Sequence, residues 1–260
     1  MSDLVVVGRK GAIATVILNN PERRNALNRG AWAQLADAME AISADQTLRC
    51  VVIRGAGDKA FAAGADIAEF KTERSSADQA AAYGADTARA LDALINCPHP
   101  TIAMIQGACT GGGLEIACCC DLRICNESAR FGVPINRIGH PFAYPELAPV
   151  LQVAGRAAVL ELLLEGRIVD AEWAQARGLV TRVVADYEIE DDVAKTAAHI
   201  AEMAPLSMRG TKKFVNRLTL DARPLTDDEI AESYAACDSE DYAEGVTAFL
   251  EKRKPQFHGR

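Results

Sequence analysis

Three consecutive glycines, Gly111-Gly112-Gly113, follow an apolar run and lead directly into Leu114 and Glu115. Glycines let a backbone approach a ligand closely, and a helix starting at such a turn aims free N–H groups and its positive dipole end at whatever is bound. Such a turn can hold an oxyanion. No Gly-Lys-Ser/Thr follows, as a P-loop requires, and the G-x-G-x-x-G of dinucleotide folds is absent. Taken alone, the glycines are equally well explained by a tight strand-to-helix packing turn. A second segment of the same character is Ala62-Ala63-Gly64-Ala65-Asp66-Ile67. Two backbone N–H donors from separate turns are the minimum for a hole that stabilises a thioester enolate. By itself this segment is an ordinary loop; the pair carries more weight than either part.

Both turns need strands and helices to position them. Residues 4–7 and 12–18 read as strands joined by a turn containing Gly8 and Gly11. Trp32, Leu35, Met39 and Ile42 recur at helical spacing, residues 50–53 form a short apolar strand, and the Ala-rich stretch 77–95 is helical by propensity until Pro98 and Pro100 end it. Residues 101–106 predict another strand, a short apolar helix starts at Leu114, and residues 122–125 return to strand. Strand, glycine turn and helix therefore alternate, which argues for α/β layering with repeated crossover units. From Pro145 onward helices dominate, at about 146–164, 170–177, 189–203, 207–218, 226–237 and 240–253, with one strand near 179–184. The expected division is a core over residues 1–200 and a helical region over 201–260.

Composition limits the possible partners. The 260 residues are 49% hydrophobic and 25% charged, an ordinary globular mixture that excludes a disordered, collagen-like or coiled-coil chain. A net charge of −8 is the wrong sign for gripping nucleic-acid phosphates. No run of residues reads as long and apolar enough to span a bilayer, and no charged-then-apolar leader opens the chain, so the expectation is a cytoplasmic protein with neither membrane nor nucleic acid as partner. Of the eight cysteines, Cys118, Cys119 and Cys120 are adjacent and would point in different directions on a helix or a strand. They cannot share one metal in the usual C-x₂-C manner, so the expectation is no metal and reduced, buried thiols acting as small hydrophobes.

Four motifs together bring a family into view: Asn20-Pro21-Glu22-Arg23-Arg24-Asn25-Ala26-Leu27-Asn28; Ala60-Phe61-Ala62-Ala63-Gly64-Ala65-Asp66-Ile67; Gly111-Gly112-Gly113-Leu114-Glu115 before Cys120-Asp121; and Phe131-Gly132-Val133-Pro134. In order and spacing they resemble the enoyl-CoA hydratase/isomerase (crotonase) superfamily. The likeness runs on to Gly178-Leu179-Val180 and to the tail from Ala248 to Lys254. It implies an α/β fold, a spiral of ββα units with a helical C-terminal trimerisation region, assembled as a homotrimer or a homohexamer (a dimer of trimers). It also implies acyl-CoA as substrate, coenzyme A being part of that substrate rather than a permanently bound cofactor.

Carried over residue by residue, the resemblance makes the backbone N–H groups of Ala65 and Gly112 the oxyanion donors and Glu115 the first of two hydratase glutamates. It places Ala63, Ala65, Asp66, Ile67 and Ala68 in the loop on the adenine side, and Arg24 near the CoA phosphates. Pro134, Ile135, Phe249 and Lys252 complete the substrate-binding set. The second glutamate belongs directly after Pro134, where this chain has Ile135. Hydratases activate water between two carboxylates, and an isoleucine can neither take nor give a proton.

The stretch that follows, Gly139-His140-Pro141-Phe142-Ala143-Tyr144-Pro145-Glu146, also departs from the small glycine-rich turn of hydratases, and its larger side chains can reshape the acyl pocket. Relatives that draw an acid from this region make Glu146 and Tyr144 candidate replacements, with His140 a third, although a surface or helix-capping role is the plainer account of His140. Trp32 and Trp173 read as core or interface, and Lys252-Arg253-Lys254 as either a phosphate contact or a solvated helix end. Hydration of a 2-enoyl-CoA is the leading expectation. Double-bond isomerisation, decarboxylation or other enolate chemistry, and a CoA-ester-binding protein with little turnover, are the alternatives.

Overall fold

The computed structural model describes residues 3–260, and it is built from strand pairs each closed by a helix. Strands β1 (Val5–Lys10) and β2 (Ile13–Leu18) form an antiparallel hairpin, followed by helix α1 (Arg29–Ala44). Gly8 lies inside β1, so the turn is Gly11-Ala12 and only Gly11 takes a positive φ there, 60°. Strands β3 (Cys50–Gly55) and β4 (Ala60–Ala62) precede the short helix α2 (Phe70–Glu73) and the long α3 (Ala77–Ile95). Next come β5 (Thr101–Ile105), β6 (Ala108–Thr110) and α4 (Gly112–Cys119), and then β7 (Leu122–Asn126), β8 (Arg130–Gly132) and α5 (Tyr144–Glu165). The first strand of each later pair joins a six-stranded sheet of order β1-β2-β3-β5-β7-β10, which β10 (Arg182–Val184) ends. The second joins a smaller sheet of order β4-β6-β8-β9, in which β9 (Val169–Asp170) pairs antiparallel to β8.

The three-residue strands β4, β6 and β8 were not visible as strands in the sequence. They are held by parallel pairing with one another rather than by local propensity. The large sheet is parallel from β2 to β10 and buried on both faces. Val51 and Ile53 face the main core with Trp32, Leu35, Met39, Leu91 and Leu94, while Cys50 and Val52 face a second cluster with Ile102, Met104, Ile189 and Val193. That alternation is why β3 reads as an unbroken apolar run. Seven cysteines are buried and unpaired, and Cys237 is exposed.

Helices α6 (Ala171–Ala176), α7 (Ile189–Glu202), α8 (Pro205–Leu220), α9 (Asp227–Glu232) and α10 (Glu240–Glu251) complete the chain. The single helix expected over 226–237 is instead α9 and a separate 3-10 turn over Ala235–Asp238. A second correction concerns α5, which by length and apolarity alone is sufficient to cross a bilayer, contrary to the expectation from sequence. The left-handed backbone of Gly155, at φ 73° and ψ 166°, breaks it into two shorter helices. Its first turn carries the buried carboxylate of Glu146.

Candidate active site

The two small-residue turns of the sequence meet where β4 and β6 end. Thr110 Oγ1 donates to the carbonyl of Ala63 at 3.0 Å, and the N–H of Leu27 donates to the carbonyl of Gly64 at 2.8 Å. Gly64 has φ 98°, and a Cβ there would stand 3.0 Å from the carbonyl oxygen of Thr110 and 3.4 Å from the nitrogen of Gly112. The three glycines have three separate reasons. Gly111 takes a positive φ of 49°, a Cβ on Gly112 would lie 2.8 Å from the Trp32 ring, and one on Gly113 would lie 2.3 Å from the carbonyl oxygen of Ala62. A positive φ, a packed indole ring and a close backbone thus account for the three glycines in turn. Among the described residues the N–H groups of Ala65 and Gly112 have no acceptor, and both residues line one cavity of about 320 Å³. Two free N–H donors on abutting turns are what an oxyanion hole needs.

Glu115 sits in the first turn of α4 and Glu146 in the first turn of α5, and both line this cavity although both are buried. Ala143 donates its backbone N–H to Glu146 Oε2 at 3.4 Å, which fixes that carboxyl at the helix start. Glu115 Oε2 is buried without a hydrogen-bond partner among the described residues, as is Trp32 Nε1 on the same wall. Burial raises the pKa of Glu115 well above the ordinary carboxyl range, the charge of Glu146 raises it further, and Arg74 opposes both. The favourable dipole of α4 does not overcome burial here.

The remaining candidate residues divide by position. Ala63, Ile67, Pro134 and Ile135 line the cavity with Ala65 and Gly112, and Ile135 turns its apolar side chain to it. Asp66 is turned away to pair with Arg23 and to cap the 3-10 turn over Ile67–Glu69, and Ala68 is exposed beside it. Arg24, in left-handed conformation, is exposed, and its carbonyl accepts from the N–H of Ala63 at 2.9 Å. Phe249, 84% exposed on α10, lines a separate groove with Leu206, Tyr242 and Leu250, and Lys252 ends that helix; neither meets the cavity within one chain. Tyr144, 89% exposed, points to solvent. His140 lies outside the cavity lining and is bonded to Arg74. Of the three replacement acids considered, Glu146 is the one that lines the cavity.

Sequence reasoning missed Arg74, Tyr83, Thr87 and Phe70, which close the inner wall. Burial pushes the Tyr83 hydroxyl up to about 12, so it stays a phenol, donating to the carbonyl of Leu27 at 3.3 Å. Burial likewise pushes the Cys118 and Cys120 thiols up to about 12, which removes them as nucleophiles.

Residues 8–260 match the family model described as enoyl-CoA hydratase/isomerase. A crotonyl-CoA hydratase of Syntrophomonas wolfei is 32% identical over 255 residues, covering 97% of each chain. A short-chain-enoyl-CoA hydratase of Clostridium acetobutylicum is 32% identical over 253 residues, covering 96% of this chain and 95% of the relative. The crystal structure of an enoyl-CoA hydratase/carnithine racemase from Magnetospirillum magneticum superposes with a TM-score of 0.98 at 53% identity, over 100% of this chain and 97% of the other.

Proposed function

The chain belongs to the enoyl-CoA hydratase/isomerase family, and from that premise we propose that it adds water across the double bond of a 2-enoyl-CoA, with Glu115 and Glu146 as its two carboxyl groups. The observation that carries this reading is their common cavity, which also holds the free N–H groups of Ala65 and Gly112. Glu146 thus replaces, from another helix, the carboxylate that Ile135 lacks.

The roles follow from the environments of the two groups. Burial and the neighbouring Glu146 raise the affinity of Glu115 for its proton, which suits it to act as the acid; Glu146, held at the start of its helix by the N–H of Ala143, is the base. Water attacks C3 of the enoyl chain and gives a proton to Glu146. The electron pair of the double bond moves through C2 to the thioester oxygen, where the N–H groups of Ala65 and Gly112 stabilise the negative charge. The enolate then collapses, C2 takes the proton of Glu115, and the product is a 3-hydroxyacyl-CoA. Proton exchange between Glu146 and Glu115 through solvent restores the starting state. This sequence of steps calls for no resident cofactor, because coenzyme A arrives and leaves with the substrate.

The same reading extends to assembly. Helices α8 to α10 leave Val215, Leu218, Tyr242, Phe249 and Leu250 between 51% and 84% exposed, an apolar surface suited to a second and third copy of the chain. A homotrimer or homohexamer in light scattering supports it, and a 27.8 kDa monomer at micromolar concentration overturns it. The catalytic reading is tested by a mass-spectrometric screen of enoyl-CoA esters for conversion to hydroxyacyl-CoA. Binding of the esters with no conversion would favour a binding protein instead.

A further inference from the structure

Arg74 follows α2 and brings a guanidinium to the inner wall of the acyl cavity. It lies 4.5 Å above the Phe70 ring centroid and 5.2 Å from that of Tyr83, so its plane is seated on aromatic faces. Nη2 meets Nε2 of His140 at 2.9 Å, and because a guanidinium can only donate, the histidine nitrogen accepts. Among the described residues this is its only side-chain hydrogen bond. Glu73, next to it in the chain, pairs with Arg29, and Glu69 accepts from the backbone N–H of Arg29. A half-buried arginine thus gives one donor to His140 and lines a cavity whose other walls are largely apolar.

The charges on the wall point the same way. Arg74 and Arg137 are its cations, Glu115 and Glu146 its carboxyls. Burial favours the neutral form of Glu115, so the wall leans positive, and the neutral end of a simple fatty acyl chain would leave that excess uncompensated. We propose that Arg74 receives the distal carboxylate of the acyl chain, so that the preferred substrate is the CoA thioester of a short unsaturated dicarboxylic acid rather than one ending in a methyl group. The proposal rests on the acyl-CoA reading of the site. It makes Arg74 a specificity-determining residue, with His140, Phe70 and Tyr83 holding its plane.

Calorimetric titration with two saturated esters, glutaryl-CoA and pentanoyl-CoA, tests it without turnover, since they differ only in a terminal carboxylate against a terminal methyl. The unaltered protein is expected to bind glutaryl-CoA about tenfold or more tightly than pentanoyl-CoA, as a charge-assisted bidentate contact provides. In Arg74→Gln that ratio is expected to fall to about one or below, and Arg74→Lys to keep part of it because charge remains and the fork is lost. Equal affinities, or tighter pentanoyl-CoA, in the unaltered protein overturn the proposal, as does a ratio that survives Arg74→Gln. Binding of neither ester overturns the acyl-CoA reading itself.

Discussion

Glu115 and Glu146, on the first turns of two different helices, face the same cavity, and the charge of Glu146 adds to the burial that keeps Glu115 protonated. Two carboxyl groups with separated proton affinities are what acid–base catalysis at neutral pH requires. On the proposed reading, Glu146 supplies the second carboxyl group that Ile135 cannot.

Replacing Glu115 by glutamine keeps the shape and removes the proton. Steady-state hydration should show kcat lower by about 10²–10⁴-fold while acyl-CoA affinity stays within about threefold. A loss below about tenfold would take Glu115 out of the chemistry.

The same substitution should make the protein more stable. A buried carboxyl whose folded pKa is raised contributes fully below the ordinary carboxyl range, about 4.3, and loses that contribution as pH climbs towards the raised value. Glu115→Gln should therefore raise the melting temperature at pH 7, by about 2–4 °C for each kcal/mol of burial cost relieved, and leave it unchanged near pH 4. Scanning calorimetry at the two pH values checks the sign.

Ile135→Glu separates two accounts of the missing glutamate. If Glu146 already fills the role, a third carboxylate in the cavity should not raise hydration of a 2-enoyl-CoA, and like-charge crowding should lower it. In a Glu146→Gln background the same change should recover part of the lost rate. A rate that rises on Ile135→Glu alone would mean that Glu146 is not the base.

The two small-residue turns can be disturbed without touching either carboxyl group. Gly113→Ala places a Cβ 2.3 Å from the carbonyl oxygen of Ala62, a backbone atom that cannot give way cheaply. Thr110→Val removes the donor to Ala63 at a cost of about 1 kcal/mol and loosens the two turns. Denaturant unfolding should report a destabilisation of about 1–3 kcal/mol for the first, and kcat should fall more than KM changes for the second.

Much of this fold was legible because its signals are local. The Ala-rich run became α3 at the expected residues, and β3 and β5 showed as apolar runs because helices cover both faces of their sheet. The short strands β6, β8 and β9 were not legible, since their stability comes from pairing with residues distant in the chain. The site followed the same division. The glycine turns and Glu115 announced themselves by composition, whereas Glu146 was one of three candidates until the path of α5 turned Tyr144 outward and Glu146 inward. Arg74 carried no signal at all, because a polar segment between two helices reads as solvated loop and only the packing of Phe70 and Tyr83 reveals its direction.

The direct test of the central claim is incubation of a 2-enoyl-CoA with the protein in H₂¹⁸O, followed by mass spectrometry of the product. The account predicts a 3-hydroxyacyl-CoA heavier than its substrate by one labelled water, with the oxygen at C3, formed by the unaltered protein and slowed by about 10²-fold or more in Glu146→Gln. A product without the label, or a labelled product formed equally fast by Glu146→Gln, would contradict it.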